Sequence, residues 1–267
     1  HTFDALGSNI VIVSACAAGA QAIGEAYKTI IDGKADVFIA GGAESVTDFF
    51  GYLGFISLKA LAERYTSPQT ASRPFDRKRN GFVMSEGSAV VILEEIDHAV
   101  KRGARIYGEV LGYGASSDAY RITDMHPKGL GAVIAMKKAL KDAGLTVNDV
   151  DYINAHGTST QQNDMTETMA IKEVFGERAR EIPISSNKSM LGHTIAAAGA
   201  IESVLTVMGI NDSTILPTIN YEFPDPRCDL FYVPNIAMKK KHRVAISNSF
   251  GFGGQNACLC LGEFKGL

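Results

Sequence analysis

Short runs that are apolar at nearly every position recur along this chain: "NIVIVSA" (9–15), "ADVFIAGG" (35–42), "GSAVVILEE" (87–95), "VDYINA" (150–155), "IPISS" (182–186), "RVAISNS" (243–249) and "NACLCLGE" (256–263). A strand covered on one face alternates, whereas one that is apolar throughout asks for cover on both faces. Helical-period segments lie between the runs. They cover 18–34, closed by Asp32 and Gly33, then 128–143, 163–175 and 194–209. This order predicts an α/β fold, a parallel or mixed sheet with helices on both faces. The segment 106–116 alternates more and opens a new block after the charged helix end "DHAVKRGAR" (97–105), which sets a boundary near residue 105. The polar, basic stretch 64–80 reads as a solvated surface loop, or else as a lid or docking surface.

Composition narrows the function classes. The chain has 267 residues, 46% hydrophobic, with a net charge of −3, so the basic excess of a nucleic-acid binder is lacking. Cys16, Cys228, Cys258 and Cys260 form no CxxC pair and suit a reducing compartment, the cytoplasm, better than a disulfide framework. No membrane span is expected, because the most apolar stretch, 195–210, is interrupted by Glu202. The opening "HTFDALGSN" has neither the basic start nor the apolar middle of a signal peptide. It also lacks an initiator Met, so the chain is expected to begin in mid-protein.

Four motifs stand at strand ends. In "IVSACAAG" (12–19), Cys16 occupies a strand-to-helix corner, where a helix start would lower a thiol pKa and small neighbours leave room for a substrate. A buried structural cysteine is the commoner fate of a free thiol. "NAHGTST" (154–160) places His156 at the end of a strand, where ligands bind in α/β sheets. The hydroxyls of Thr158, Ser159 and Thr160 follow it, although a turn histidine with local caps reads equally well. "SSNKSMLGHTIAAAGA" (185–200) sets Lys188 and His193 before a helix of small residues able to pack very closely. "SNSFGFGGQNA" (247–257) joins two strands, either as a hairpin-like turn or as an apolar gate around Phe250 and Phe252. A sheet that gathers these strand ends on one side would bring the Cys, the Lys and the two His together.

With these motifs, and with "DVFIAGGAES" (36–45), "ASRPFDRKRNGFVMSEGSAVVILEE" (71–95) and "AAAGAIES" (196–203), the chain resembles the β-ketoacyl-[acyl carrier protein] synthases, in particular the elongating type II enzymes of fatty-acid synthesis. The resemblance implies a thiolase-like α-β-α-β-α sandwich of two similar halves. Residues 1–105 would be the C-terminal portion of the first half, which lacks its opening region, and 106–267 the second half. The Cys-His-His set, here Cys16, His156 and His193, marks the elongating subtype; initiating relatives carry Asn at the last position. Cys258 and Cys260 do not match the second cysteine of thiolases. Gln255 stands where the family usually has Thr.

That resemblance implies a decarboxylative Claisen condensation. Cys16 accepts an acyl chain, with the backbone N–H groups of Cys16 and Phe252 as oxyanion hole. His156 and His193 donate to the thioester oxygen of malonyl-acyl carrier protein. Lys188, paired with Glu202, organises the site. Thr158 and Thr160 hold the pantetheine arm or malonyl group, and Phe252 gates an acyl pocket walled by Phe82. Asp164 and Glu167 lie at i, i+3 on one helix face and are expected to neutralise the Lys188 region or simply to favour the helix dipole. No cofactor is implied, since phosphopantetheine arrives on the carrier protein. The implied partners are that acidic carrier, met by Lys59, Arg64 or "KKKHR" (239–243), and a second copy paired through strand 9–15. "KKKHR" reads equally as a solvated turn. Alternatives are a polyketide-type ketosynthase, a non-condensing homologue or malonyl-decarboxylating partner subunit, a zinc module on Cys16, His156 and His193, and a Cys-His hydrolase.

Overall fold

The computed structural model describes Phe3 and residues 5–266; His1, Thr2 and Asp4, part of the opening stretch read as no leader, lie outside the described residues. In chain order the elements are α1 (Ala18–Ile31), β1 (Val37–Glu44), α2 (Phe49–Ser57), β2 (Gly87–Glu94), α3 (Ile96–Lys101), β3 (Glu109–Ser117), α4 (Leu130–Asp142), β4 (Tyr152–Asn154), α5 (Gln161–Phe175), β5 (Ile184–Ser185), α6 (Lys188–Leu191), α7 (Ala198–Asp212), β6 (Thr214–Ile215), β7 (Met238–Lys239), β8 (Val244–Gly251) and β9 (Gln255–Gly262). The main sheet has five strands in the order β3-β9-β8-β4-β5. It is mixed: β4 runs parallel to β5 and β8, while β9 is antiparallel to both β8 and β3. A separate antiparallel pair joins β1 to β2.

Four layers result. The β1–β2 pair lies on α1 and α7, these helices lie on the main sheet, and α4 and α5 cover its far face. The largest apolar cluster fills the space between α4, α5 and the sheet, around Met136, Ile153, Ile171 and Ile246. Small residues let the central helices touch. A Cβ on Gly19 would lie 2.8 Å from the Ala196 carbonyl oxygen, and one on Gly199 would lie 2.7 Å from the Ala20 nitrogen. This is the close approach expected of the Ala- and Gly-rich 194–209 helix. The stretch Ile195–Asp212 is long and apolar enough by composition to cross a membrane, but it is a half-buried core helix of this fold, with Glu202 buried on it.

Several sequence expectations need correction. Residues 9–14 form no strand, and Ile10, Val11 and Val13 are exposed. A strand exists only through ladder bonds to a neighbour, and no strand among the described residues pairs with this one. The runs at 35–42 and 87–95 are strands covered on one side only: Phe38, Ala40, Val91 and Leu93 face α1 and α7, while Val37, Ile39, Val90 and Ile92 face outward. Helix α2 has no expected counterpart, because Gly51 and Gly54 interrupt its pattern; Asp48 caps it by accepting from the Gly51 N–H at 2.8 Å. The stretch 64–80 is neither a solvated loop nor a lid throughout. Its second half is largely core, with Phe75, Asp76 and Arg79 at or below 1% exposure, because the polar groups that turn inward find buried partners, while Arg77 and Lys78 stay exposed.

The glycine seam gives a stability test. Gly19→Ala forces its methyl against the Ala196 and Ala200 backbone, which cannot rotate away. We expect a loss of about 1–3 kcal/mol, read as a lowered urea midpoint with an unchanged slope. An unchanged midpoint would show that the seam is looser than described.

Candidate active site

Cys16 sits in a tight 3-10 turn, Ala15–Ala17, that leads into α1. Ala15 takes a left-handed φ of 49° to make the corner. The loop after β8 closes over it: a Cβ on Gly251 would lie 2.7 Å from the Ser14 carbonyl oxygen and 3.1 Å from the Cys16 nitrogen, so glycine alone fits. The backbone N–H groups of Phe252 and Cys16 lie beside the sulfur. They and the Lys188 charge favour the thiolate, but burial outweighs them and pushes the thiol up to about 11. The corner was expected to lower this pKa; desolvation reverses the sign.

His156 follows β4 in a turn held from below. The N–H groups of His156 and Gly157 donate to Glu167 at 2.9 and 2.8 Å, and Asn248 Nδ2 donates to the same carboxylate at 3.2 Å. Burial pushes the Glu167 carboxyl up to about 7 despite these donors. Asp164 accepts from the N–H groups of Phe75 at 2.7 Å and Ser159 at 3.2 Å. Neither acid reaches Lys188. The expectation that they neutralise it, or merely suit the helix dipole, is replaced by a structural one: they tie down the backbone of the histidine turn.

Lys188 is buried at the start of α6. Its ammonium donates to Glu202 at 2.5 Å and to His156 Nδ1 at 3.3 Å. Burial raises the Glu202 carboxyl and the Lys188 charge opposes that rise. His193 is held on an isolated bridge to Met84, its N–H donating to the Val83 carbonyl at 2.7 Å. Its Nδ1 accepts from the Ile195 N–H at 3.2 Å, which requires a left-handed φ of 45° at Ile195, a costly conformation for a β-branched residue. Burial and the Lys188 charge hold both imidazoles well below the usual histidine range, so they are neutral. With each Nδ1 accepting, each Nε2 carries the proton.

One ligand-type atom from each of Cys16, His156 and His193 lies within 4.8 Å of the others. That spacing could hold a metal, but the donor set argues otherwise. A metal-bound imidazole donates through its other nitrogen, whereas here the other nitrogens accept, one of them from an ammonium.

The three side chains open into a cavity of about 320 Å³. Thr158 and Thr160 line it with hydroxyls 3.0 Å apart. Phe82 meets His193 edge-on at 5.2 Å and Phe55 at 5.3 Å, and Phe55 tilts against Phe252 at 6.4 Å. Lys59 is on the rim, and the Arg64 backbone is held by Asn80 beside it. No residue of 239–243 lines the cavity; its lysines are exposed and its His242 is buried. Phe55, Asn248 and Arg79 were not singled out from sequence. Phe55 lies in a glycine-broken helix without clear period, and the other two act through long-range contacts that no local pattern encodes.

The family described as Beta-ketoacyl synthase, N-terminal domain, matches residues 1–99, and Beta-ketoacyl synthase, C-terminal domain, matches residues 107–222. The 3-oxoacyl-[acyl-carrier-protein] synthase 2 of Synechocystis is 51% identical over 261 residues, covering 98% of this chain and 63% of that protein. The chain belongs to the β-ketoacyl synthase family. The protein of the same name from Staphylococcus aureus is 46% identical over 98% of this chain and 63% of its own length. Among solved structures, a type II PKS acyl-carrier protein in complex with its ketosynthase bound to the hexaketide matches with a TM-score of 0.95 and 42% identity, covering 97% of this chain and 64% of that one. A beta-ketoacyl synthase from Burkholderia phymatum gives 0.89 and 42%, covering 94% and 60%. These matches establish the thiolase-like ketosynthase fold, and the chain spans somewhat under two thirds of the length of these relatives.

The raised thiol sets a pH test. With a pKa near 11, thiolate is scarce at neutral pH and its fraction grows about tenfold per pH unit below the pKa. Alkylation of Cys16 by iodoacetamide, followed by mass spectrometry, should rise about tenfold per unit between roughly pH 7 and 9. Removing the nearby charge in Lys188→Ala should slow alkylation at any fixed pH in that range. A rate already at its plateau by neutral pH would contradict the dominance of burial.

Proposed function

We propose that this chain carries the condensing site of a β-ketoacyl-acyl carrier protein synthase. In this reading it joins an acyl group to a malonyl unit, with loss of carbon dioxide, in fatty-acid chain elongation. The observation that carries this reading is the convergence of a buried thiol with two neutral imidazoles that both present Nε2–H to one cavity.

Cys16 attacks an acyl thioester whose oxygen is received by the N–H groups of Cys16 and Phe252. The bond from Cys16 Sγ to the acyl carbon forms, the carrier's thioester bond breaks, and the thiol proton leaves with the departing pantetheine sulfur. Malonyl-carrier protein then enters beside Thr158 and Thr160. As carbon dioxide departs, charge gathers on the malonyl thioester oxygen, and His156 and His193 donate to it. The carbanion attacks the acyl-Cys16 carbonyl, a carbon–carbon bond forms and the bond from the acyl carbon to Cys16 Sγ breaks. The released thiolate takes up a proton from water to restore the thiol. Decarboxylation drives the sequence, so no cofactor or metal is assigned. Phe252 is the gate and Phe55 with Phe82 the wall of the acyl chain's pocket.

The same reading assigns an acidic carrier protein to the rim at Lys59 and Arg64. It assigns a second copy to the exposed apolar segment 9–15, where pairing would satisfy its backbone. Four buried, unpaired cysteines favour a reducing compartment, the cytoplasm. The TM-score of 0.95 to a polyketide ketosynthase supports the neighbouring reading, extension without reduction between steps. Product analysis separates the two: a single condensation, or repeated ones on the same chain.

Acyl transfer should leave an acyl adduct on Cys16 in the wild type and none in Cys16→Ala, which should retain malonyl decarboxylation. His193→Ala should slow decarboxylation by roughly 10²-fold while Cys16 still takes up acyl groups. Loss of acylation alone in His193→Ala would overturn the role assigned to this histidine.

A further inference from the structure

We infer that the segment 72–85 is the template on which the three catalytic loops are laid, and that Arg79 is the positioning residue for the hydroxyls that receive the pantetheine arm. The inference rests on the condensing-enzyme reading and adds to it a residue that touches no substrate.

Read along the segment, the contacts go one after another to the site. Ser72 Oγ donates to the Lys188 carbonyl at 2.7 Å, and the Arg73 N–H donates to Ser159 Oγ at 3.0 Å. The Phe75 N–H meets Asp164, and the Gly81 N–H donates to the Ser159 carbonyl at 3.1 Å. Val83 and Ser85 bracket His193, accepting from its N–H at 2.7 Å and donating to its carbonyl at 3.0 Å.

Arg79 carries the most specific of these contacts. Its side chain is fully buried, and its fork points at the start of α5. Nε donates to the Thr160 carbonyl at 3.0 Å and an Nη donates to the Gln161 carbonyl at 3.1 Å. The Gln161 side chain returns a bond to the Arg79 carbonyl. The other Nη donates to the Asp76 carbonyl at 2.9 Å and to Asp225 at 2.7 Å. Asp76 in turn accepts from Arg73 at 3.0 Å and from the N–H groups of Glu222 and Phe223 at 2.8 and 2.6 Å. The guanidinium is thus fixed at both ends.

The Thr160 carbonyl needs this donor. Its helical partner, the Asp164 N–H, stands 3.5 Å away, at the weak limit of a hydrogen bond. Arg79 therefore sets the tilt of the Thr160 peptide, and with it the Thr158–Thr160 hydroxyl pair that lines the cavity. A lysine keeps the charge but offers one point donor in place of the planar fork.

The test is a double-mutant cycle on malonyl-pantetheine, using Arg79→Lys, Thr158→Val and the pair. Arg79→Lys should raise KM about tenfold, the equivalent of one lost charge-assisted bond, with kcat and the iodoacetamide alkylation rate of Cys16 unchanged. Thr158→Val should raise KM as well, and the pair no further than the larger single effect. A fall in kcat and in alkylation together, or additive KM effects, would make Arg79 a purely structural residue and overturn the inference. So would a KM raised by Thr158→Val but unmoved by Arg79→Lys. A KM unmoved by Thr158→Val overturns the pantetheine reading beneath it. Should Arg79→Lys fail to fold, Asp225→Asn, which frees the outer end of the fork, carries the same cycle and the same outcomes.

Discussion

The Lys188 ammonium lies buried with two partners, Glu202 at 2.5 Å and His156 at 3.3 Å, and much of the site follows from what that burial requires. Removing one partner of a buried pair strands a charge, typically at a cost of ~3–5 kcal/mol, so α6, α7 and the turn after β4 are tied together wherever this chain is folded. Burial first, and then this same charge, hold both imidazoles neutral. Because an ammonium only donates, it also decides the tautomer of His156. One buried lysine therefore fixes the position and the proton placement of His156.

The second requirement is that the buried backbone groups of the histidine turn be satisfied. The turn carrying His156 has its N–H groups taken up by Glu167 and Asp164 on α5, and the segment 72–85 supplies the remaining bonds. These acids and Arg79 are ionisable groups, yet they act as backbone clamps. Their burial explains why Ser72, Arg73, Asp76 and Arg79 of the polar stretch "SRPFDRKR" belong to the interior, while Arg77 and Lys78 stay exposed: the buried ones complement a polar turn that has no water to turn to.

Much of this was legible in the sequence. Strand ends placed Cys16, His156, Lys188 and His193 at one side of the sheet, and the structure gathers them there. The Lys188–Glu202 pair, expected from the resemblance, is present. What failed did so for reasons that span the chain. The run at 9–15 has strand composition, but a strand is made by its neighbour. The runs at 35–42 and 87–95 look doubly buried, yet cover on the second face is a property of packing. Asp164 and Glu167 have the right spacing to share a helix face, but their partners lie in the histidine turn and at Phe75, Arg79 and Asn248. The thiol's pKa was misjudged in sign because a helix start can be read from a sequence and desolvation cannot.

The raised thiol and the neutral histidines make one consistent proton inventory. At rest the site holds a protonated sulfur, two Nε2–H groups and an ammonium, and the N–H groups of Cys16 and Phe252 complete the lining. Each of these groups around the sulfur is a donor, whereas the wider cavity also carries acceptors on Asn80, Asp124 and Gln162. Such a donor cluster is well suited to receiving oxygen atoms on which negative charge is growing, since its dipoles are already oriented when the charge appears. It also holds two sets of donors rather than one, the backbone pair at the sulfur and the imidazole pair beyond it. A reaction with one charged oxygen would need only one set. The condensation proposed for this site has two, the tetrahedral acyl oxygen and the enolate oxygen, and on that proposal one set serves each, so that the division of labour between backbone and side chains follows from the number of anions to be held.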